Sequence, residues 1–209
     1  MNKVIIFGYS GHAYVLIESM IKKNFQPIGY FSKIANALNP YRLKYLGFEE
    51  SVEIKSLVQN CFLFPAIGDN SIRMKIINFI EQEGLKTFSL VDISAHVSNS
   101  VLINNQSYVG SNAIINAHSK IGKGVIINTA AVIEHECIIG DYTHIAPNAT
   151  ICGNVTIGNN SFVGAGAIVK QGVNIGNNVT IGAGTVVLKN IVNNEVWVGN
   201  PASKIKKNE

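Results

Sequence analysis

The sequence contains little charge, few aromatic residues and little cysteine. Charged residues make up 14% and aromatic residues 8% of its 209 positions, and there are three cysteines. A net charge of +4 with no basic stripe gives no sign of a nucleic-acid-binding surface, so we expect no nucleic-acid partner. Cys61, Cys137 and Cys152 are odd in number and form no CxxC pair, which favours reduced thiols and a cytoplasmic location.

Long apolar runs are missing as well. No stretch approaches the ~18 consecutive apolar residues of a membrane-spanning helix, so we expect no membrane association. The N-terminal segment MNKVIIFG holds one lysine and a short apolar run, with no small-residue cleavage site. It is typical of a first β-strand and not of a secretion signal.

What the sequence has instead is a six-residue repeat. Every sixth position from Val91 to Val187 is valine or isoleucine, and the position four residues after each of these is nearly always small or β-branched. A period of six fits neither an α-helix nor an alternating strand, and it predicts a β-helix with three hexapeptides in each 18-residue coil. The aliphatic residues should fill the interior, and we expect recurrent glycines to supply the backbone conformation of the turns. These glycines are Gly110, Gly122, Gly140, Gly158, Gly164, Gly176 and Gly182.

Residues 1–88 have a different pattern, which predicts a small Rossmann-like α/β domain ahead of a β-helix domain over residues 89–209. We expect strands at 4–7, 26–32, 61–67 and 86–90 and a helix over 71–83.

Two glycine-containing turns of this domain suggest a ligand site. The segment from Gly8 to Ala13 follows a strand and precedes a helical pattern, an arrangement that can hold phosphate at a helix N-terminus. It lacks the full G-x-G-x-x-G spacing, so an ordinary βα turn is the alternative. The turns at Gly8 and Gly68 would share the C-terminal edge of a parallel sheet, where ligands of open α/β sheets bind.

Within the repeat, Glu134-His135-Glu136 suggests catalysis. His135 should point outward near a corner with Glu136 beside it, and a histidine held by a carboxylate is suited to general base catalysis. Gly153 should stack over His135, where its N–H group could stabilise an oxyanion. His144 is half a coil away on another side, so only the His144 of a neighbouring copy could share a pocket with His135. The alternative is a solvated surface histidine.

Several motifs together resemble one family. They are GxSGH at residues 8–12, I-G-x-N-x-x-R at 67–73, N-T-x-x-x-x-E-H-E-C at 128–137 and G-N-P-A at 199–202. The chain is similar to the bacterial hexapeptide-repeat acetyltransferases that N-acetylate UDP- or dTDP-linked 4-amino-4,6-dideoxy sugars for glycan assembly. The resemblance implies a left-handed parallel β-helix, a homotrimer with active sites between subunits, acetyl-CoA as co-substrate and no metal.

The resemblance also assigns residues to the acetyl transfer. It implies that His135 is the general base, that Glu136 raises its basicity, and that the amino group of the bound sugar attacks the thioester directly. The residues implied to contact acetyl-CoA are His144, Gly153, Ala165 and Ala183.

A second set of residues is implied to bind the nucleotide-linked amino sugar. Where relatives often carry an acidic pair at the nucleoside, this chain has Ser32-Lys33, which leaves the base open among UDP, dTDP and GDP. The implied substrate-binding residues are Ser10, Gly11, His12, Ser32, Lys33, Asn70, Arg73 and Asn128.

Three other functions stay open at this point. An O-acetyltransferase of the sialic acid type could use the same base on a sugar hydroxyl. A zinc hydratase needs three converging ligands, and only His118 and His135 are close in coil position. The third alternative is a β-helix scaffold without catalysis.

Overall fold

The computed structural model describes residues 2–207 and begins with a small α/β domain. Its four strands are parallel and lie in the order β3-β2-β1-β4, which confirms the Rossmann-like prediction. The elements are β1 (Asn2–Phe7), α1 (Gly11–Lys22), β2 (Phe25–Phe31), β3 (Lys44–Tyr45), a 3-10 turn (Glu49–Ser51), α2 (Ile54–Leu57), β4 (Phe62–Pro65) and α3 (Asn70–Gln82).

The predicted elements of this domain lie close to the observed ones, with one exception. Helix α3 begins where the Asp69 carboxylate accepts a 2.8 Å hydrogen bond from the Ile72 N–H group, a standard N-cap. The strand expected at 86–90 does not form. Thr87 makes a single parallel bridge to Leu63, and Leu90 already belongs to the first coil.

The second part is a parallel β-helix with three faces, as the period predicts. Strand residues pair with residues 18 positions further on, for example Lys120 with Ile138. Face A is the eight-stranded sheet, face B the six-stranded and face C the five-stranded sheet. Face A contains Leu90–Val91, Tyr108–Val109, Ile126–Ile127, His144–Ile145, Phe162–Val163, Thr180–Ile181, Glu195–Val198 and the antiparallel Ser203–Lys207. Face B contains His96–Val97, Ile114–Ile115, Val132–Ile133, Thr150–Ile151, Ile168–Val169 and Val186–Val187. Face C contains Leu102–Ile103, Lys120–Ile121, Ile138–Ile139, Thr156–Ile157 and Asn174–Ile175.

The interior of the β-helix is filled by the predicted aliphatic ladder. From Val109 to Val187 the inward residue of each strand is at most 3% exposed. Buried hydroxyls at the corners are satisfied by the backbone of the next coil: Ser107 Oγ donates to the Gly122 carbonyl oxygen and accepts from the Val125 N–H group. Apolar packing and these hydrogen bonds therefore hold successive coils in one register.

The prediction that the recurrent glycines supply the turn conformation is wrong. The left-handed backbone conformation falls on every sixth residue from Gln106 to Gly184, with φ between 54° and 74°. The predicted glycines instead let adjacent coils approach: a Cβ at Gly140 would lie 2.6 Å from the Gly158 carbonyl carbon, and one at Gly164 would lie 2.5 Å from the Ala183 nitrogen.

The α/β domain packs against face A. Leu90, Tyr108 and Ile126 of face A share one buried cluster with residues of β1 and α1. Below α1, Ser19 Oγ donates to Asp92 Oδ2 at 2.5 Å and lies 3.2 Å from the Tyr108 hydroxyl. None of the helices within residues 2–207 has the length and apolarity needed to cross a membrane.

Candidate active site

His135 and Glu136 form a pair at the corner between faces B and C. The imidazole Nδ1 lies 3.1 Å from Glu136 Oε2, and the two side chains are 51% and 65% exposed. A carboxylate accepts hydrogen bonds, so it favours the tautomer that carries the proton on Nδ1 and leaves the Nε2 lone pair available. The arrangement therefore presents a base to incoming molecules.

Gly153 lies over this imidazole, one coil further on. A Cβ at position 153 would lie 2.5 Å from His135 Nε2, so any larger residue would displace the ring. Between residues 2 and 207, the Gly153 N–H group has no hydrogen-bond acceptor, whereas the neighbouring Asn154 N–H group donates to the His135 carbonyl oxygen at 2.9 Å. An N–H group beside the base is thus available to an oxyanion.

His144 belongs to a second group of residues on face A, where it meets the α/β domain. Its Nδ1 lies 3.3 Å from the Gly68 carbonyl oxygen, and its Nε2 lies 3.1 Å from Asn128 Nδ2. The Asn128 amide is oriented by the Thr129 N–H group, which donates to Asn128 Oδ1 at 2.8 Å. The donor and acceptor positions assign the proton of His144 to Nδ1 and leave Nε2 as an acceptor.

His12, in the first turn of α1, lies beside His144 with a ring-centroid distance of 6.2 Å. Its Nε2 atom is buried and has no hydrogen-bond partner within the described residues, which is uncommon unless a ligand completes the site. Burial and the charge of Arg73 lower the pKa of His12 to about 4. Burial, Arg73 and His12 lower the pKa of His144 to about 3, so both imidazoles are neutral at physiological pH.

Arg73 is buried, although the resemblance implied that it contacts the sugar nucleotide. Its side chain is 1% exposed, and its five N–H donors are all used by protein oxygen atoms. These acceptors are the carbonyl oxygens of Ile67, Gly68, Gly124 and Tyr142 and the Asn70 side-chain oxygen. The expectation that Arg73 contacts the sugar nucleotide directly is therefore wrong, because no donor is left for a ligand.

Asn70 also holds the two domains together. Its Nδ2 atom donates to the Ser161 carbonyl oxygen at 3.0 Å, while its Oδ1 atom accepts from Arg73 Nη2 at 2.8 Å. Beside it is a groove of about 610 Å³ between the start of α3 and face A. The groove is lined by Gly68, Asp69, Asn70, Ser71, Asn160, Phe162, Asn178, Thr180 and Asn194.

The remaining predicted ligand residues lie at the surface. Ser10 and Gly11 are exposed at the start of α1. Among residues 2–207, the Ser10 side chain makes no capping hydrogen bond and nothing lies within 4 Å of a Cβ built at Gly11. Ser32 donates to the Ile34 carbonyl oxygen, and the Lys33 ammonium lies 6.0 Å from the Phe48 ring. Ser32 and Lys33 line a shallow groove together with Tyr9 and residues 34–37.

Ala165 and Ala183 are exposed at the corner between faces A and B. The predicted coenzyme residues thus fall into two places: His144, Ala165 and Ala183 border face A, whereas Gly153 accompanies His135 at the corner between faces B and C. In a triangular coil this corner is opposite face A. Within a single chain, His135 is therefore on the other side of the β-helix from His12 and His144.

The thiol of Cys137 points into the interior of the β-helix. Cys137 is buried, burial raises the pKa of its thiol, and its Sγ atom lies 3.2 Å from the Cys152 carbonyl oxygen. In the described part of the chain, residues 2–207, no group of three or more His, Cys, Asp or Glu side chains is placed to hold a metal ion.

A hexapeptide β-helix with an exposed histidine–glutamate pair beside a free backbone N–H group defines a hexapeptide-repeat acyltransferase. Comparisons with known proteins agree. Residues 3–80 match the PglD N-terminal domain, and residues 118–153 and 154–189 match the bacterial transferase hexapeptide repeats.

Two solved structures are similar over nearly the whole chain. A mutant of perosamine N-acetyltransferase from Caulobacter crescentus, in complex with CoA and GDP-perosamine, is 31% identical, with 99% of this chain and 98% of that chain covered and a TM-score of 0.93. The acetyltransferase domain of PglB from Neisseria gonorrhoeae FA1090, in complex with acetyl coenzyme A, is 30% identical, with 98% and 100% covered and a TM-score of 0.89.

The chain belongs to the family of acetyl-CoA-dependent N-acetyltransferases of nucleotide-linked amino sugars. The family predicted from the sequence motifs is thereby confirmed, together with its two-domain architecture. The roles of individual residues and the trimer stay predictions.

Proposed function

We propose that the protein transfers the acetyl group of acetyl-CoA to the 4-amino group of a nucleotide-linked 4-amino-4,6-dideoxy sugar, with His135 as the general base. The observation that carries the proposal is the His135–Glu136 pair beside the unpartnered Gly153 N–H group. The relatives' complexes with CoA and GDP-perosamine support both the co-substrate and a nucleotide-linked amino sugar as acceptor.

The reaction is a direct transfer. The neutral amine attacks the thioester carbon while His135 Nε2 removes its proton, and Glu136 stabilises the resulting imidazolium. The oxyanion of the tetrahedral intermediate accepts a hydrogen bond from the Gly153 N–H group. When the carbon–sulfur bond breaks, His135 returns the proton to the CoA thiolate, and the products are free CoA and the acetamido sugar.

We further propose that the site is completed between copies of the chain in a homotrimer. The corner that carries His135 would contact face A of the next copy. This contact would bring His135 of one copy towards His12 and His144 of the next. Outward-facing apolar residues support contact here: Ile138 on face C and Ile168 on face B flank that corner and are 46% and 44% exposed.

The sugar nucleotide would bind at the α/β domain. Its phosphates fit the start of α1, where the first N–H groups have no side-chain cap and Gly11 leaves open space. The nucleoside would lie along Ser32 and Lys33, and the unpartnered His12 Nε2 would meet the sugar. A cytoplasmic location agrees with the three free thiols and with a nucleotide-linked substrate.

Acetyl transfer by the His135→Ala variant tests this proposal. With UDP-, dTDP- and GDP-linked 4-amino-4,6-dideoxy sugars as acceptors, thiol release from acetyl-CoA should require an amino sugar. His135→Ala should lower kcat by ~10²-fold or more, the scale of general base catalysis. The exposed His96 is the matched control, and His96→Ala should keep wild-type kcat. Release with a hydroxyl acceptor alone, or full activity without His135, would contradict the proposal.

A further inference from the structure

We propose that Arg73 is a positioning residue, which fixes the tautomer of His144 through the Gly68 carbonyl oxygen and thereby prepares the coenzyme side of the site. The inference rests on the proposed function and on the contact with acetyl-CoA that the family resemblance implies for His144. It assigns to Arg73 a task that differs from the substrate contact expected from the sequence.

The carbonyl oxygen of Gly68 is shared by the two side chains. It accepts a hydrogen bond from Arg73 Nη1 at 2.9 Å and one from His144 Nδ1 at 3.3 Å. A carbonyl oxygen has two lone pairs, so both hydrogen bonds can form at once. Because the guanidinium is planar and rigid, it holds the peptide of Gly68 in the orientation that His144 requires.

The other four donors of Arg73 fix the guanidinium on both domains. Two of its acceptors, the carbonyl oxygens of Gly124 and Tyr142, belong to the β-helix at 2.8 Å and 2.7 Å. The Ile67 carbonyl oxygen and the Asn70 side chain belong to the α/β domain. Arg73 therefore sets the position of the Gly68 turn relative to the strand that carries His144.

The charges around His144 favour its neutral form. Arg73 and His12 both act electrostatically on the ring, and the Asp69 carboxylate acts on Arg73. A cation beside a buried imidazole opposes its protonation, and burial adds to the effect. A neutral His144 with the proton on Nδ1 has a free lone pair on Nε2, which accepts a hydrogen bond from the Asn128 side-chain amide.

The position of Arg73 in α3 is otherwise unfavourable. It shares the buried face of the helix with Ile76, Ile77 and Ile80, where an apolar residue would cost less to bury. A buried guanidinium whose acceptors are mainly backbone carbonyls, beside two histidines of the site, is explained by a positioning task.

The first test uses the unmodified protein and needs no substrate. In ¹⁵N-histidine-labelled enzyme, the ring signals of His144, assigned with a His144→Ala variant, should report an unprotonated Nε2 and a protonated Nδ1. The ring should stay neutral as the pH is lowered to ~5, in line with its lowered pKa of about 3. A His144 that carries its proton on Nε2, or titrates near the ordinary histidine value, would overturn the inference even if every Arg73 variant misfolds.

The second test compares variants of α3. Arg73→Lys keeps the charge but not the five-donor fork, and Arg73→Met removes both. Each should produce mixed His144 tautomers and raise the KM for acetyl-CoA about tenfold, with a smaller change in kcat, the size expected for one lost hydrogen bond to a charged group. Lys75→Met removes a charge from the exposed side of the same helix and should change neither.

Two outcomes separate this inference from the proposed function. Unchanged His144 signals and unchanged KM in a folded Arg73→Lys enzyme would refute the positioning task. Loss of activity in His135→Ala would still support the proposed acetyl transfer. Conversely, a failed acetyl transfer assay would leave the tautomer measurement valid.

Discussion

Glu136 has a backbone conformation that most coils assign to asparagine or glycine. The left-handed ladder is the set of fourteen positions, every sixth residue from Gln106 to Gly184, that have a left-handed backbone conformation. Five of them are asparagine and four are glycine. Glu136 is one of the others and has a φ of 58°. A residue other than glycine or asparagine pays a steric cost there. We explain the unfavourable conformation by function, because the turn places the Glu136 carboxylate beside the His135 ring.

Glu136→Asn should therefore lower activity without lowering stability. Asparagine suits the left-handed conformation, so the melting temperature should stay the same or rise slightly, while loss of the carboxylate should lower kcat about tenfold. Thermal unfolding and steady-state kinetics on the same preparation measure both. Asn154→Gln, at the equivalent position of the next coil, replaces asparagine with a residue less suited to this conformation and should lower the melting temperature. Wild-type kcat in Glu136→Asn would remove the carboxylate from the mechanism.

At the scale of elements, α1 is tied to the first coil by a buried carboxylate. Burial alone would raise the pKa of Asp92, but hydrogen bonds from Ser19, Ser94 and Ser111 outweigh it and lower the pKa to about 2. Because the pKa in the folded state is below the ordinary value of 3.8, the ionised carboxylate stabilises the fold above about pH 4. That contribution is lost as the pH falls towards 2.

Asp92→Asn should lower the free energy of unfolding by about 2 kcal/mol at neutral pH, the equivalent of the lowered pKa. Between pH 4 and pH 2 the difference between variant and wild type should shrink, because the wild-type carboxylate becomes protonated. Denaturant unfolding at several pH values measures this. Glu50→Gln, at an exposed carboxylate, serves as the control. A difference that does not change with pH would contradict the assignment.

The β-helix could be predicted in detail because its period fixes every neighbour. Once a coil has 18 residues, the stacking of Gly153 over His135 follows from their numbers alone, and the structure confirms it. The left-handed ladder could have been found in the same way, from the asparagines that recur at its positions. The glycines were misassigned because glycine serves close approach as well as turn conformation.

The contact between the two domains has no period, so the sequence could not predict it. Nothing in the spacing of residues 67–73 reveals that Gly124 and Tyr142 are the partners of Arg73. One signal was available: Arg73 falls on the apolar stripe of α3 with Ile76 and Ile77, and an arginine there must be buried with its donors satisfied.

At the scale of the whole molecule, the geometry of a three-sided coil separates the two halves of the candidate site. His135 projects from the corner opposite face A, and His12 and His144 lie where face A meets the α/β domain. A ring of copies related by a threefold axis can bring a corner of one copy to face A of the next. Each active site would then need residues from two chains.

Mixed trimers test this arrangement. His135→Ala damages the corner, and His144→Ala damages face A, so each variant alone should have low activity. When the two variants are refolded together in equal amounts, one site in four should combine an intact corner with an intact face, and activity should return to about a quarter of wild type. Co-refolding of His135→Ala with the double variant His135→Ala/His144→Ala provides the control, since it can form no intact site. Because a site contained within one chain cannot be repaired by mixing, activity no higher than the mean of the two variants would show that His135 and His144 act within a single copy.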